Sequence, residues 1–227
     1  MKQWISVVLL AVSAPLAFGV AGQDNIEATK QKALAGDPAA QVQVGMSYAF
    51  ATPRNIKEAV KWMQMAANQG YADGEYRLGG LLDVAVNPQN PTEAVKWYTL
   101  AAKQGHKDAE FRLAQMYDRG RGTTKDSAEA AKWYAKAGEQ GRADAQFRLG
   151  EMYEQGDGVK QDYAAAMNWY MEAAKQNRPE AEYKVGYLFE KGQGVTKNTQ
   201  QAIAWYEKAD KLGYPDAHDA LKALEDQ

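Results

Sequence analysis

The chain has 227 residues, 45% hydrophobic and 25% charged, with 20 Gly, 7 Pro and a formal charge of −2. That much apolar sequence with so little Pro and net charge excludes a disordered chain, and the near-neutral balance offers no basic field to nucleic acid or an anionic membrane. There are no Cys, so the fold must be stable by packing, without disulfides or thiolate metal sites.

At the N-terminus, Lys2 gives a short positive start and Trp4 to Phe18 is almost continuously apolar. Small residues follow at Gly19, Ala21 and Gly22, then the polar run Gln23-Asp24-Asn25. This order predicts a cleavable signal peptide over residues 1–21 and a periplasmic location. The apolar run is shorter than the roughly 20 residues of a membrane span, so no insertion is expected after cleavage. Residues 22–36 are predicted to form an N-terminal capping helix closed by Gly36, with Ala28 where later units carry Trp.

From residue 37 the sequence repeats. Trp62, Trp97, Trp133, Trp169 and Trp205 are spaced 35, 36, 36 and 36 residues apart, and a fixed period of this size marks a helical repeat array. Seven residues before each Trp stands an N-cap former: Asn55, Asn90, Asp126, Asp162 or Asn198. Glu58, Glu93, Glu129 and Gln201 follow three residues after four of these caps, predicting a capping box. Eight residues after each Trp comes Gly70, Gly105, Gly141, Asn177 or Gly213, suited to a left-handed helix stop. Each Trp is therefore expected mid-helix and packed in the core.

A further helix is expected after each stop. Pro38, Pro179 and Pro215 suit its first turn, where Asp73, Asp108, Asp144, Glu180 and Asp216 place negative charge. Val44, Leu78, Leu113, Leu149 and Val185 continue an apolar stripe, each followed by Gly or Ala for close helix crossing. The segment leading to the next cap varies in length. Its long form reads Gly120-Arg121-Gly122, Gly156-Asp157-Gly158 and Gly192-Gln193-Gly194, whereas the first two loops use Ala51-Thr52-Pro53 and Val86-Asn87-Pro88. Five repeats are thus read over 37–70, 71–105, 106–141, 142–177 and 178–213, and 214–227 is predicted to be a C-terminal capping helix.

The pattern Ala145-x3-Leu149-Gly150-x2-Tyr153 through Trp169-Tyr170 and Ala173-Ala174 resembles the Sel1-like repeat of the tetratricopeptide superfamily. The resemblance covers about residues 30–227. It implies an all-α, right-handed α/α solenoid of five helix pairs with a capping helix at each end. Exported members with disulfide-linked helices are known, and this chain lacks their Cys. By analogy with tetratricopeptide arrays, the first helix of each pair lines a concave binding face. That face would carry Tyr76, Phe111, Phe147 and Tyr183, although core burial is an equal reading for these four rings. It would also carry Gln115, Glu151 and Tyr187, with Asp83, Asp118, Glu154 and Glu190 beyond them. Arg77, Arg112, Arg148 and Lys184 run alongside, each four residues after an acid and so placed for local ion pairs. Mixed aromatic, acidic and basic groups suit a protein or peptide partner.

Chemistry finds little footing. The glycine loops lack the strand and Lys-Ser/Thr of a phosphate cradle, and His106 and His218 lie three repeats apart. No activated nucleophile is legible, and neither a metal nor a cofactor is expected. Three functions remain: a periplasmic adaptor, monomeric when free; an immunity protein against a secreted lipase-type effector; and a hydrolase of β-lactam or cell-wall substrates. The third is implied by relatives alone, without the serine–lysine pair it would need.

Overall fold

In the computed structural model, the described residues are 21–225 apart from Asn87. The signal reading of residues 1–21 thus falls outside them except for Ala21, as do Asp226 and Gln227 at the far end. The described residues form α-helices without strands. The first helices of the pairs are α2 (Pro38–Phe50), α4 (Ala72–Gly80), α6 (Lys107–Arg119), α8 (Ala143–Gln155) and α10 (Pro179–Lys191). Their second helices are α3 (Ile56–Ala67), α5 (Pro91–Lys103), α7 (Ser127–Glu139), α9 (Tyr163–Ala174) and α11 (Thr199–Lys211), with α1 (Ala21–Leu34) and α12 (Pro215–Glu225) at the ends. Each helix packs against its neighbours in sequence, so the core runs along an all-α solenoid stabilised by nearest-neighbour contacts.

Local chemistry sets the helix ends. All five predicted caps accept from backbone N–H groups in the first turn, as in Asn90 from Glu93 at 3.1 Å and Asp126 from Glu129 at 2.9 Å. The capping box needs correction. Each cap's own N–H donates to a carbonyl in the preceding helix or the turn that extends it: Tyr48, Leu82, Tyr117, Tyr153 or Phe189, at 2.8–3.0 Å. The glutamates are thereby released to other partners: Glu93 and Glu129 accept from Lys96 and Lys132, and Glu129 also from Trp133 Nε1. This backbone bond also explains why the loops tolerate different lengths: both ends are fixed whatever lies between.

The predicted left-handed stops hold, including Asn177 at φ 58°. The second glycine of each long loop has a further role. A Cβ on Gly122, Gly158 or Gly194 would lie 2.3–2.4 Å from backbone atoms of Pro91, Ser127 or Tyr163. These loops therefore seat against the first turn of the previous repeat's second helix. The early repeats do differ: Thr52–Pro53 is cis, and α4 runs into a π-helical turn over Leu81–Ala85.

The tryptophan expectation holds in part. Trp62 and Trp133 are buried, but Trp97, Trp169 and Trp205 are only half-buried. The deepest ring is that of the next residue: Tyr98, Tyr134, Tyr170 and Tyr206 are 0–2% exposed. Three of these rings lie over a glycine of the paired first helix, where a Cβ would come within 2.6–2.9 Å of the ring. Helical geometry allows one of two adjacent residues to point fully at the partner helix, and here it is the tyrosine. Tyr134→Ala should therefore cost about 3–5 kcal/mol, and Trp133→Ala a similar amount, with a smaller cost for Trp205→Ala. Urea denaturation of the three variants checks that order.

Candidate partner-binding face

In repeats two to five the first helix carries an aromatic with a base beside it, and an acid follows six residues after the base; in repeats three to five Gln115, Glu151 or Tyr187 lies midway between base and acid. Tyr76 and Phe111 are buried, while Phe147 and Tyr183 are half-buried. Each ring is held by two residues. One is the tyrosine of its own repeat: Tyr98, Tyr134, Tyr170 or Tyr206, with centroids 5.4–6.0 Å apart. The other is the residue starting the next repeat: His106 stacks on Tyr76 at 4.6 Å, Arg142 on Phe111 at 4.4 Å, Arg178 on Phe147 at 4.8 Å, and Tyr214 meets Tyr183 at 5.3 Å. These rings are structural joints between repeats, and Tyr76 and Phe111 offer no free face to a ligand.

The ion pairs also depart from the local pattern. Arg77 does pair with Asp73, four residues back, at 2.8 Å. Arg148 instead crosses to the preceding repeat and grips Asp118 with Nε at 3.0 Å and Nη2 at 3.1 Å. Lys184 likewise reaches Glu154 at 3.0 Å, and Arg112 donates to Gln115 at 3.0 Å. The acids Asp108 and Asp144 are taken by Arg142 and Arg178 of the following repeats. A two-bond guanidinium–carboxylate contact across half-buried ground outweighs a pair along one solvated helix face. Where Arg112 turns away, Arg121 fills the place and reaches Asp83 at 2.6 Å.

Behind this charged row stand the buried tyrosines. Tyr134 donates its phenolic hydrogen to Asp118 at 3.3 Å, Tyr170 to Glu154 at 2.5 Å and Tyr206 to Glu190 at 2.7 Å. Burial first, and the adjacent carboxylates second, push these phenols up in pKa, so they stay donors. Each acid is thus fixed from inside by a phenol, and Asp118 and Glu154 also accept from a cation of the next repeat. Gln115, Glu151 and Tyr187 remain half-exposed between these clusters, with Lys184 and Lys191 each within 6 Å of the Tyr187 ring. The face is a preset row of alternating charges whose outer lone pairs and N–H groups meet solvent. Among the described residues, no cluster of His, Asp and Glu is arranged for a metal, and no helix is long and apolar enough to cross a membrane.

One polar layer went unread in the sequence. Gln41, Glu75, Glu110, Gln146 and Glu182, one per first helix, are 2–5% exposed. Four receive a carboxamide N–H from the glutamine just before the stop: Gln69, Gln104, Gln140 and Gln176 donate to Gln41, Glu75, Glu110 and Gln146 at 2.7–2.8 Å. The signal was available as two columns of Glu/Gln and Gln recurring in register.

A Sel1 repeat model matches residues 38–71, 72–106, 107–141, 143–177 and 179–214. The chain belongs to the Sel1 repeat family. Sel1 repeats generally build non-catalytic scaffolds for protein–protein interaction. Among solved structures, this Sel1 repeat chain is similar to c5321, a protective antigen of uropathogenic Escherichia coli strains with an SLR fold. The two share 36% identity over 88% of this chain and 44% of that one, with a TM-score of 0.83. A Sel1 repeat protein from Oxalobacter formigenes gives 32% identity over 89% of this chain and 59% of its own, with a TM-score of 0.75. The chain therefore spans about half the length of these two relatives. The Pseudomonas aeruginosa immunity protein PA5088 shares the fold at 21% identity, 94% and 78% coverage and a TM-score of 0.53. No curated protein matches the sequence significantly.

The polar layer yields a pH-dependent prediction. Burial pushes the Glu110 carboxyl up, against the donation from Gln140. The folded state thus holds this proton to a higher pH than the unfolded chain, and ionisation above that range opposes folding. Glu110→Gln reproduces the side chain of Gln41 and Gln146, each of which also donates to a buried carbonyl. It should stabilise the protein at pH 7 by on the order of 1 kcal/mol. Thermal melts across pH should show the gain fading as the pH falls through the range in which the folded carboxyl titrates.

Proposed function

We propose that this Sel1 repeat protein is a non-enzymatic, periplasmic interaction module that holds a polypeptide along the charged row of its first helices. The observation carrying this reading is the ladder of Asp118, Arg148, Glu154 and Lys184: charges 12–29% exposed and fixed in place before any partner arrives. A site whose side chains are already ordered loses less conformational freedom on binding. The alternation of signs suits a chain carrying backbone amides and mixed side chains better than a uniformly charged polymer. Gln115, Glu151, Lys184 and Tyr187 would make the contacts, with the buried aromatics as supports. The export reading is supported by the positive start, apolar run and small residues of the N-terminal segment.

Affinity capture from an envelope fraction, followed by mass spectrometry, supplies a partner for quantitative work. Arg112 is the informative position because its hydrogen-bond partners are the neutral Gln115 and Tyr76 and no buried ion pair depends on it. Arg112→Glu should weaken binding of the captured protein at least tenfold by calorimetry, with helicity and melting temperature unchanged. Undiminished affinity would remove the first-helix row as the site.

A further inference from the structure

In the fifth repeat the polar layer is broken. Glu182 occupies the same buried position as Glu75, Glu110 and Gln146, but the residue before the stop is Leu212, not glutamine. Leu212 points outward and is 49% exposed. Glu182 is 5% exposed, and its Oε2 is buried with no hydrogen-bond partner. A pocket of about 470 Å³ opens at this point, and Glu182 is part of its wall. The half-buried Trp205, with Lys208 Nζ 3.6 Å from its ring centroid, forms one side. Lys211, Asn177 and Leu212 stand at its margin. In repeats one to four the corresponding space receives a glutamine carboxamide from within the chain.

A buried carboxylate oxygen without a donor costs the full loss of its hydration. Burial pushes the Glu182 carboxyl up, with Lys208 acting in the opposite sense. The chemistry that satisfies it is written four times in the same molecule: a primary carboxamide entering beside the second helix and donating one N–H.

We propose that this pocket receives a glutamine or asparagine side chain from another polypeptide, whose carboxamide donates to Glu182 in place of the missing glutamine and whose neighbouring carboxylates meet Lys208 and Lys211. The aliphatic part of that side chain packs on Trp205. The site lies at the end of the second helices, apart from the first-helix row, and stands whether or not that row binds a partner.

The test uses the whole chain, ¹⁵N-labelled, and two capped tripeptides, acetyl-Glu-Gln-Glu-N-methylamide and acetyl-Glu-Leu-Glu-N-methylamide, of which only the first carries a primary carboxamide. The glutamine peptide should shift the Trp205 indole N–H and the Leu212 amide saturably at millimolar concentration, at least fivefold more tightly than the leucine peptide. Leu212→Gln restores the residue found at positions 69, 104, 140 and 176. It should raise the melting temperature by about 2–4 °C and abolish those shifts, whereas Leu212→Ala should retain them. Equal response to both peptides, no response, or undiminished binding by Leu212→Gln would overturn the proposal. An unchanged or lowered melting temperature for Leu212→Gln would also overturn it, because Glu182 would then lack no donor.

Discussion

The tyrosine that follows the tryptophan in repeats two to five, where the first repeat has Met63 over Gly45, is the part on which the rest of this structure depends. Its ring fills the gap between the two helices of a repeat, and only a glycine or alanine opposite leaves room for it. Tyr170 shows the arrangement, lying over Gly150 with its phenol on Glu154. A buried hydroxyl must find an acceptor, so the acid at the end of the first helix is fixed by the same residue that fills the core. That acid then accepts Lys184 of the next repeat. Packing within one repeat and registry with the next are therefore one constraint.

The surface follows from this constraint. A row of charges on free helices would sample many rotamers, and forming a complex would have to order them. Here Asp118 and Glu154 are held by phenols from behind and by cations from the side. The aromatics at positions 111 and 147 serve the same end, because Arg142 and Arg178 stack on them while pairing with Asp108 and Asp144. Rigidity of the scaffold and order of the charged row have a common origin, which suits a family that builds interaction scaffolds.

Much of the fold was legible because its determinants are local. A cap, a stop and a proline act within one turn, so Asn55, Asn177 and Pro179 declare their roles without reference to distant residues. The spacing of the tryptophans supplied the period. What was misread depends on the neighbouring helix. Glu93 looked like the second half of a capping box, but the cap's N–H was already engaged by the carbonyl of Leu82. Arg148 stood four residues after Asp144, yet solenoid geometry brought Asp118 closer to its guanidinium. For Tyr76 and Phe111 groove and core are equal readings in the sequence, and a ring between two other side chains belongs to the core. The Glu–Gln layer was visible as columns of like residues, but only folding shows that they meet.

The central claim is that core packing and inter-repeat charge pairing are coupled through the acid between them. A double-mutant cycle on Tyr170→Phe and Lys184→Met, both of which act on Glu154, measures that coupling by denaturant unfolding. The account predicts that the two losses are not additive and differ from their sum by more than about 0.5 kcal/mol. Strict additivity would show that the phenol and the ammonium act independently, and the ladder would then be a coincidence of neighbouring contacts.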